Sequence, residues 1–330
     1  MESKAPLAEV PELLEEVRRG CRYVADQSAF VRIDLERIPG YIAGLSPDTD
    51  REAEHEPACH FLGQGESTAA FFLTLDAINF GSGYFPLLRK RTGLSGYFTV
   101  ASSLRDEYDR NGPLSAASLA EITTDQCLRL FQQDPGQAVV RELMQLFAEA
   151  LNDLGRCLLQ DFAGRFSGLI ESAGSSAERL VRQLLAMRYF RDAETYRGMR
   201  VPFLKRAQLT AADLALAFHG KGLGRFHDLD RLTIFADNLV PHVLRLDGIL
   251  RYEESLARRI DDGELIQAGS EEEIEIRACA LHAVEQMVEA FGRRGRIVTA
   301  VQLDYLLWNR GQQAGYKRAK PRHRTRTVFY

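Results

Sequence analysis

With 330 residues, 45% of them hydrophobic and 27% charged, the chain has material for a sizeable core in one large domain or two lobes. A net charge of −4 supplies no global basic field to draw it onto nucleic acid, and neither a long apolar run nor an export leader is visible, so a cytoplasmic protein is expected. Five cysteines without a C-x-x-C pair argue against a disulfide framework or zinc site, seven histidines without H-x-x-x-H spacing argue against a metal enzyme, and no cofactor is expected.

Leu7, Val10, Leu14, Val17, Cys21 and Val24 recur three or four apart, which predicts an amphipathic helix. Residues 46–69, carrying SPDTD and GQGES, are polar and turn-rich and predict a loop. Ala70, Leu73, Ala77 and Phe80 then form a buried helical stripe ending at Gly81-Ser82-Gly83. Asp76 and Asn79 share one face of that helix, beside Phe80, Tyr84 and Phe85. Composition alone makes this a core helix with a polar edge, yet an acid and an amide among aromatics also suit a planar heterocycle. Residues 97–101 predict a short strand, and residues 114–166 predict helices, with Leu143, Phe147, Leu151, Leu154 and Leu158 on the buried stripe.

Ser175-x-x-Glu178 predicts a capping box, with Leu180, Leu184 and Leu185 turned inward. In V-P-F-L-K-R-A-Q (residues 201–208), Lys205 sits between Phe203-Leu204 and Ala207, a partly buried setting in which a lysine needs a partner. Thr210-x-x-Asp213 is expected to open a helix. The loop Gly220-Lys221-Gly222-Leu223-Gly224 matches neither a Walker motif nor a dinucleotide fingerprint and is a weak phosphate signal.

Residues 232–250, LTIFADNLVPHVLRLDGIL, are the most informative stretch. An apolar run stops at Asp237-Asn238, either of which suits a helix N-cap. Pro241 is tolerated in a first turn, Val240, Val243 and Leu244 recur at helical spacing, and Gly248 suits the helix stop. The positive end of a helix favours a carboxylate in its charged form. A carboxylate delivered there by a greasy segment, with Phe235 two residues away, is what a reaction passing through a carbocation needs.

Further on, Ser270-x-x-Glu273 predicts a capped helix in which Arg277, on the apolar side, pairs with a carboxylate. Thr299-x-x-Gln302 opens a last helix whose Asp304 is surrounded by hydrophobic residues and needs a protein or ligand partner. The tail carries Lys317, Arg318, Lys320, Arg322, Arg324 and Arg326 without an acid. Docked, it could supply phosphate-binding charge, with a short strand over residues 325–330. There are no repeats and no clear domain boundary. A mostly α, compact fold with a few short strands is expected.

The segment around Asp237 resembles the catalytic Asp segment of the helix-hairpin-helix base-excision DNA glycosylases. Taken with L-D-A-I-N-F-G (75–81), Ser95-Gly96-Tyr97, K-R-A-Q (205–208), E-I-R (275–277), L-D-Y-L-L-W (303–308) and the basic-then-aromatic end from His323 to Tyr330, the chain more closely resembles the queuosine salvage family, the queuosine-5'-phosphate N-glycosylase/hydrolases. The resemblance covers roughly residues 60–330. It implies a single helical hydrolase domain like those glycosylases, in one body or two lobes, with the site between the lobes. It also implies hydrolysis of queuosine-5'-monophosphate to queuine and ribose 5-phosphate. Asp237 would then stabilise or attack the ribosyl cation, and Lys205 would meet the phosphate or ribose. Asp304 and Asp76 would accept from the base, Asn79 would supply a polar edge, and Phe235, Phe80 and Tyr305 would stack. Asn238 and Tyr330 complete the expected substrate-binding set. The expected partner is a small nucleotide, with no stable nucleic-acid or membrane binding. The rivals are a DNA glycosylase, disfavoured by the negative charge, and a non-enzymatic nucleoside- or nucleotide-binding protein.

Overall fold

The computed structural model describes residues 12–46 and 54–330. Leu7, Val10 and residues 47–53 of the expected loop lie outside the described residues. Helix α1 (Leu13–Gln27) buries Leu14, Val17, Cys21 and Val24 as its spacing predicts. Strand β1 (Val31–Ile33) and α2 (Ile38–Ala43) follow. Helix α3 runs over Glu66–Ala77, so it takes in the end of the expected loop and stops short of Phe80. Its hydrophobic residues surround it rather than forming one stripe, because every side chain from Thr68 to Ala77 is buried.

Helix α4 (Gly96–Asn111) replaces the strand expected at residues 97–101. The Tyr-Phe-Thr-Val run has strand propensity, but the Ser95 hydroxyl accepts from Phe98 N at 3.2 Å and starts a helix whose inner face is buried. The sequence continues through α5 (Ala116–Glu121), α6 (Thr124–Leu130), α7 (Ala138–Asp161), α8 (Phe166–Ser172) and α9 (Ala177–Leu184). Leu143, Phe147, Leu151, Leu154 and Leu158 lie on the buried face of α7. Helix α5 crosses α7 closely at Gly155, where an added Cβ would lie 2.2 Å from Ala120 N. The α9 cap is Ser176, accepting from Arg179 N, one residue later than the expected Ser175, which adopts φ 61°.

Strands β2 (Ala193–Tyr196) and β3 (Met199–Pro202) form a hairpin through Arg197-Gly198, both at positive φ as a two-residue turn of this type requires. Helix α10 (Lys205–Ala217) begins five residues before the expected Thr210 cap; the Thr210 hydroxyl instead donates to Arg206 O within the helix. Helix α11 (Leu239–Leu246), β4 (Leu250–Tyr252), α12 (Glu254–Asp261) and α13 (Glu271–Arg293) lead to α14 (Ala300–Gln312). Ser270 caps α13 and Thr299-Gln302 forms the predicted capping box on α14. Helix α14 is not the last, since α15 (Ala314–Ala319) follows. Residues 325–330 form no strand; the tail makes a single bridge, Arg324 to Leu265.

The protein is therefore mostly helical, with two small antiparallel sheets among the described residues, β1 with β4 and β2 with β3. Helix α1 packs along α13, α3 against α10, and α11 against α14. None of the helices among the described residues is long and apolar enough to cross a membrane.

Candidate active site

A cavity of about 820 Å³ opens between the starts of α10 and α11, the middle of α14 and the tail. Of the ten site residues expected from the sequence, nine lie on its wall. Asn79 and Phe80 come from the turn after α3, Lys205 from the first residue of α10, and Phe235, Asp237 and Asn238 from the segment leading into α11. Asp304 and Tyr305 come from α14, and Tyr330 from the tail. Asp76 is fully buried and lies behind that wall.

Asp237 does cap α11: its Oδ1 accepts from Leu239 N at 2.7 Å and Val240 N at 3.3 Å. Asn238 contributes no side-chain cap; its amide donates to His323 O at 3.3 Å and ties the tail to the start of α11. The segment before Asp237 is gripped at successive positions. Thr233 N donates to Gln208 Oε1 at 2.9 Å, Phe235 N donates to Asp304 Oδ1 at 2.9 Å, and Ala236 O accepts from Arg277 Nε at 3.0 Å. Arg277 also donates to both carboxylate oxygens of Asp192, at 2.9 and 2.6 Å. Asp192 in turn accepts from Lys205 N at 3.0 Å, so one buried ion pair touches the backbone of both the Asp237 and the Lys205 segments. This is the structural pairing expected for Arg277.

Lys205 follows Leu204, a non-glycine residue held at φ 55° and ψ 33°. Such strain persists only where the surroundings over-determine it, here by Leu204 N donating to the Asp192 carbonyl and by a fully buried side chain. Lys205 Nζ reaches Asn79 O at 3.4 Å. Burial lowers the lysine pKa, and the Asp237 charge opposes that shift.

The sequence did not single out Arg206. Its guanidinium bonds the C-terminal carbonyls of α3, Asp76 O at 3.1 Å and Ala77 O at 2.6 Å, and also the carbonyls of Val328 and Tyr189. The rings of Phe80 and Phe190 flank it. A buried cation at a helix C-terminus is well placed electrostatically, and here it also pins the tail to the cavity wall. Gly83 lets the tail approach, because a Cβ there would lie 2.2 Å from Thr325 O. The Tyr330 carbonyl accepts from Gly81 N at 2.9 Å.

Asp213, expected only in a helix cap, also lines the cavity near Asp76, with Tyr305 OH 3.5 Å from its Oδ1. Two buried carboxyl groups near one another disfavour each other's ionisation. Burial pushes the Asp213 carboxyl up to about 7, against the pull of Lys205, and Asp76 is also raised, by burial and by Asp213. A raised acid binds its proton more tightly in the folded than the unfolded state. The associated stability is therefore present below the usual carboxylate range and is lost as the pH rises through about 7. Asp213→Asn, which cannot ionise, is expected to flatten that loss. Between about pH 6 and pH 8 the melting temperature of the unsubstituted protein should fall by a few degrees more than that of the variant. Parallel melting curves would rule this out.

The other missed group is a pair of histidines, His55 and His60, in a region expected to be loop. His55 Nε2 lies 3.0 Å from Asp213 O, and His60 Nε2 lies 2.9 Å from Tyr97 OH. Burial pushes both imidazoles down to about 4, so near neutral pH they are uncharged and behave as aromatic wall beside Tyr97, Phe98 and Trp308. Among the described residues no group of three His, Cys, Asp or Glu side chains is placed to hold a metal ion. A cavity walled by aromatics, buried acids and one carboxylate on a helix N-terminus can hold a flat heterocycle and stabilise positive charge next to it.

The profile of the family described as queuosine salvage protein matches residues 59–330. The chain is 40% identical to the queuosine 5'-phosphate N-glycosylase/hydrolase of Sphaerobacter thermophilus, over 94% of this chain and 96% of that one. It is 34% identical to the protein of the same name from Dictyostelium discoideum, over 80% of this chain and 79% of that one. It is 29% identical to the one from Mus musculus, over 95% and 98%. A match that takes in every expected site residue described above places this chain in the queuosine salvage protein family.

Proposed function

We propose that the protein hydrolyses the N-glycosidic bond of queuosine 5'-phosphate, releasing queuine and ribose 5-phosphate. The relatives named for that activity support the substrate. The observation that carries the chemistry is Asp237, a carboxylate held by two main-chain N–H groups on the wall of an aromatic-lined cavity. Cleaving C1'–N9 builds positive charge on the ribose, and Asp237 either stabilises that charge or forms a transient bond to C1'. Water then supplies hydroxide to C1' while the base gains a proton. Queuine is a 7-deazaguanine and has no N7 to protonate, so departure relies on stabilising the ribosyl cation and on hydrogen bonds to the base.

Asp304 is the acceptor best placed to bond the departing base. It is buried, pushed up by burial and by Asp237, and fixed by Phe235 N. Phe235 and Tyr305, edge to face at 6.4 Å, offer ring surface to the base. Phe80, Asn79 and Tyr330 close the same wall, Asn238 holds the tail, and Lys205 faces the ribose or phosphate. The likeness to the helix-hairpin-helix glycosylases rests on the acid at the start of α11, and the two-lobed reading on a cavity lined from three separate parts of the chain, residues 54–98, 205–239 and 304–330. The substrate is a free nucleotide in the cytoplasm, not a nucleic acid.

Incubation with queuosine 5'-phosphate, with queuosine and with GMP tests this, with free base followed by chromatography. Queuine from the phosphate and no guanine from GMP is expected. Tight binding without any release would leave a nucleotide-binding protein in its place.

A further inference from the structure

Gln208, in the first turn of α10, is fully buried and forms no part of the cavity wall, yet its side chain binds both segments that bring charge to that wall. Its Nε2 donates to Phe203 O at 2.9 Å and to the Thr233 hydroxyl at 2.9 Å, while its Oε1 accepts from Thr233 N at 2.9 Å. Phe203 stands just before Leu204 and Lys205, and Thr233 leads through Phe235 to Asp237. The carboxamide fits only one way round. Turned over, its oxygen would face Phe203 O and its NH2 group the Thr233 N–H, and both main-chain bonds would become repulsions.

Both ends need holding. Leu204, at φ 55°, sets where α10 starts and so where Lys205 points. A non-glycine residue keeps that conformation only where its neighbours fix it, here by Gln208 on the carbonyl before it and by the Asp192 carbonyl on its own N–H. At the other end, residues 232–238 belong to no helix or strand, so their path depends on side chains that bond the main chain. Those bonds come from Gln208 to Thr233, from Asp304 to Phe235 and from Arg277 to Ala236. Arg277 reaches the Lys205 segment only through Asp192, whereas Gln208 spans the two segments with one uncharged group.

We propose that Gln208 is a positioning residue for the reaction, fixing the separation between the Lys205 ammonium and the Asp237 carboxylate before substrate arrives. This rests on the proposed function, in which Asp237 works beside C1' and Lys205 faces the ribose or phosphate. Charges set in place beforehand need no rearrangement as positive charge develops on the sugar. A displacement of about 1 Å at such a site can cost about 100-fold in rate.

The test uses Gln208→Met, which keeps the length and removes both bonds. Per folded molecule, kcat on queuosine 5'-phosphate should fall by about 30-fold or more, while KM stays within about threefold because Phe235 N is still tied to Asp304. Thr233→Val, which keeps the N–H bond and loses the hydroxyl, should cost about threefold or more, and nothing further once Gln208 is replaced. Asn152→Leu strips a comparable amide from the carbonyls of Leu119 and Ile122, away from the cavity, and should lower stability with kcat unchanged. A kcat loss in Gln208→Met no larger than in Asn152→Leu, or independent losses that multiply in the double variant, would overturn the assignment. Should Gln208→Met fail to fold, Thr233→Val decides alone, and an unchanged kcat overturns the proposal. If the unsubstituted protein cleaves nothing, the proposed function fails instead, and crystal structures of it and of Gln208→Met decide the positioning by themselves. The separation of Asp237 and Lys205 should then differ by about 0.5 Å or more, and an unchanged separation would overturn it.

Discussion

Asp237→Asn is expected to lower kcat on queuosine 5'-phosphate by about 10³-fold or more, equivalent to about 4 kcal/mol of lost transition-state stabilisation. Asparagine keeps an oxygen that can accept from Leu239 N and Val240 N, so the α11 cap survives and stability should change by less than about 1 kcal/mol. What disappears is the negative charge beside C1'. Affinity for the released base should change little, because Phe235, Asp304 and Tyr305 hold their places through contacts that do not involve Asp237. Single-turnover rates and queuine binding, measured on the same preparation, separate the two effects. A variant retaining a tenth or more of the normal kcat would remove Asp237 from the mechanism.

The second large effect belongs to a residue that does not line the cavity. Burial opposes the Arg277 charge, but Asp192 and Glu273 outweigh it, and the guanidinium lies between the rings of Phe203 and Tyr330. Arg277→Met would leave the buried Asp192 and Glu273 carboxylates without their cation and Ala236 O without its donor. Breaking one side of such a pair costs about 3–5 kcal/mol, visible in urea unfolding. Activity should fall further than the folded fraction does, because the same ion pair sets the backbone before Asp237 and the backbone of Lys205. Combining Arg277→Met with Asp192→Leu should restore much of the stability and little of the kcat. A loss below about 1 kcal/mol in the single variant would show that the ion pair is not the clamp described here.

The residues that the sequence located correctly are those whose signals are local. An Asp-Asn pair followed by Pro241 marks the start of α11 whatever surrounds it, and the caps at Ser270 and Thr299 depend only on residues three positions away. Misplacements arose where two local signals competed. The Tyr-Phe-Thr-Val run after Ser95-Gly96 has strand propensity and a helix cap, and the cap won because the resulting face could be buried. The alternating tail at residues 325–330 suits a strand, but Gly81, Ser82 and Arg206 bond its carbonyls in place of a neighbouring strand.

Asp213, His55, His60 and Arg206 were not legible as site residues because each acquires its role from a partner far away in sequence. Lys205 and Asp304, which line the cavity, stand out in the sequence because a charge in a hydrophobic setting is conspicuous without a partner. Family motifs carried Asn79 and Tyr330, for which periodicity says nothing.

The contact between Gly81 and Tyr330 also fixes when the cavity can come into being. A ribosome adding about 5–20 residues per second needs on the order of 10–50 s to travel from one to the other. Through that interval α3 and α7 can already pack on one another, while the wall made by Arg322, Arg324 and Tyr330 is still unsynthesised or inside the exit tunnel. The nascent chain therefore carries Phe80, and later Phe235, without their facing wall until Tyr330 emerges. It has to be kept from aggregating for longer than a protein whose neighbours in space are also neighbours in translation.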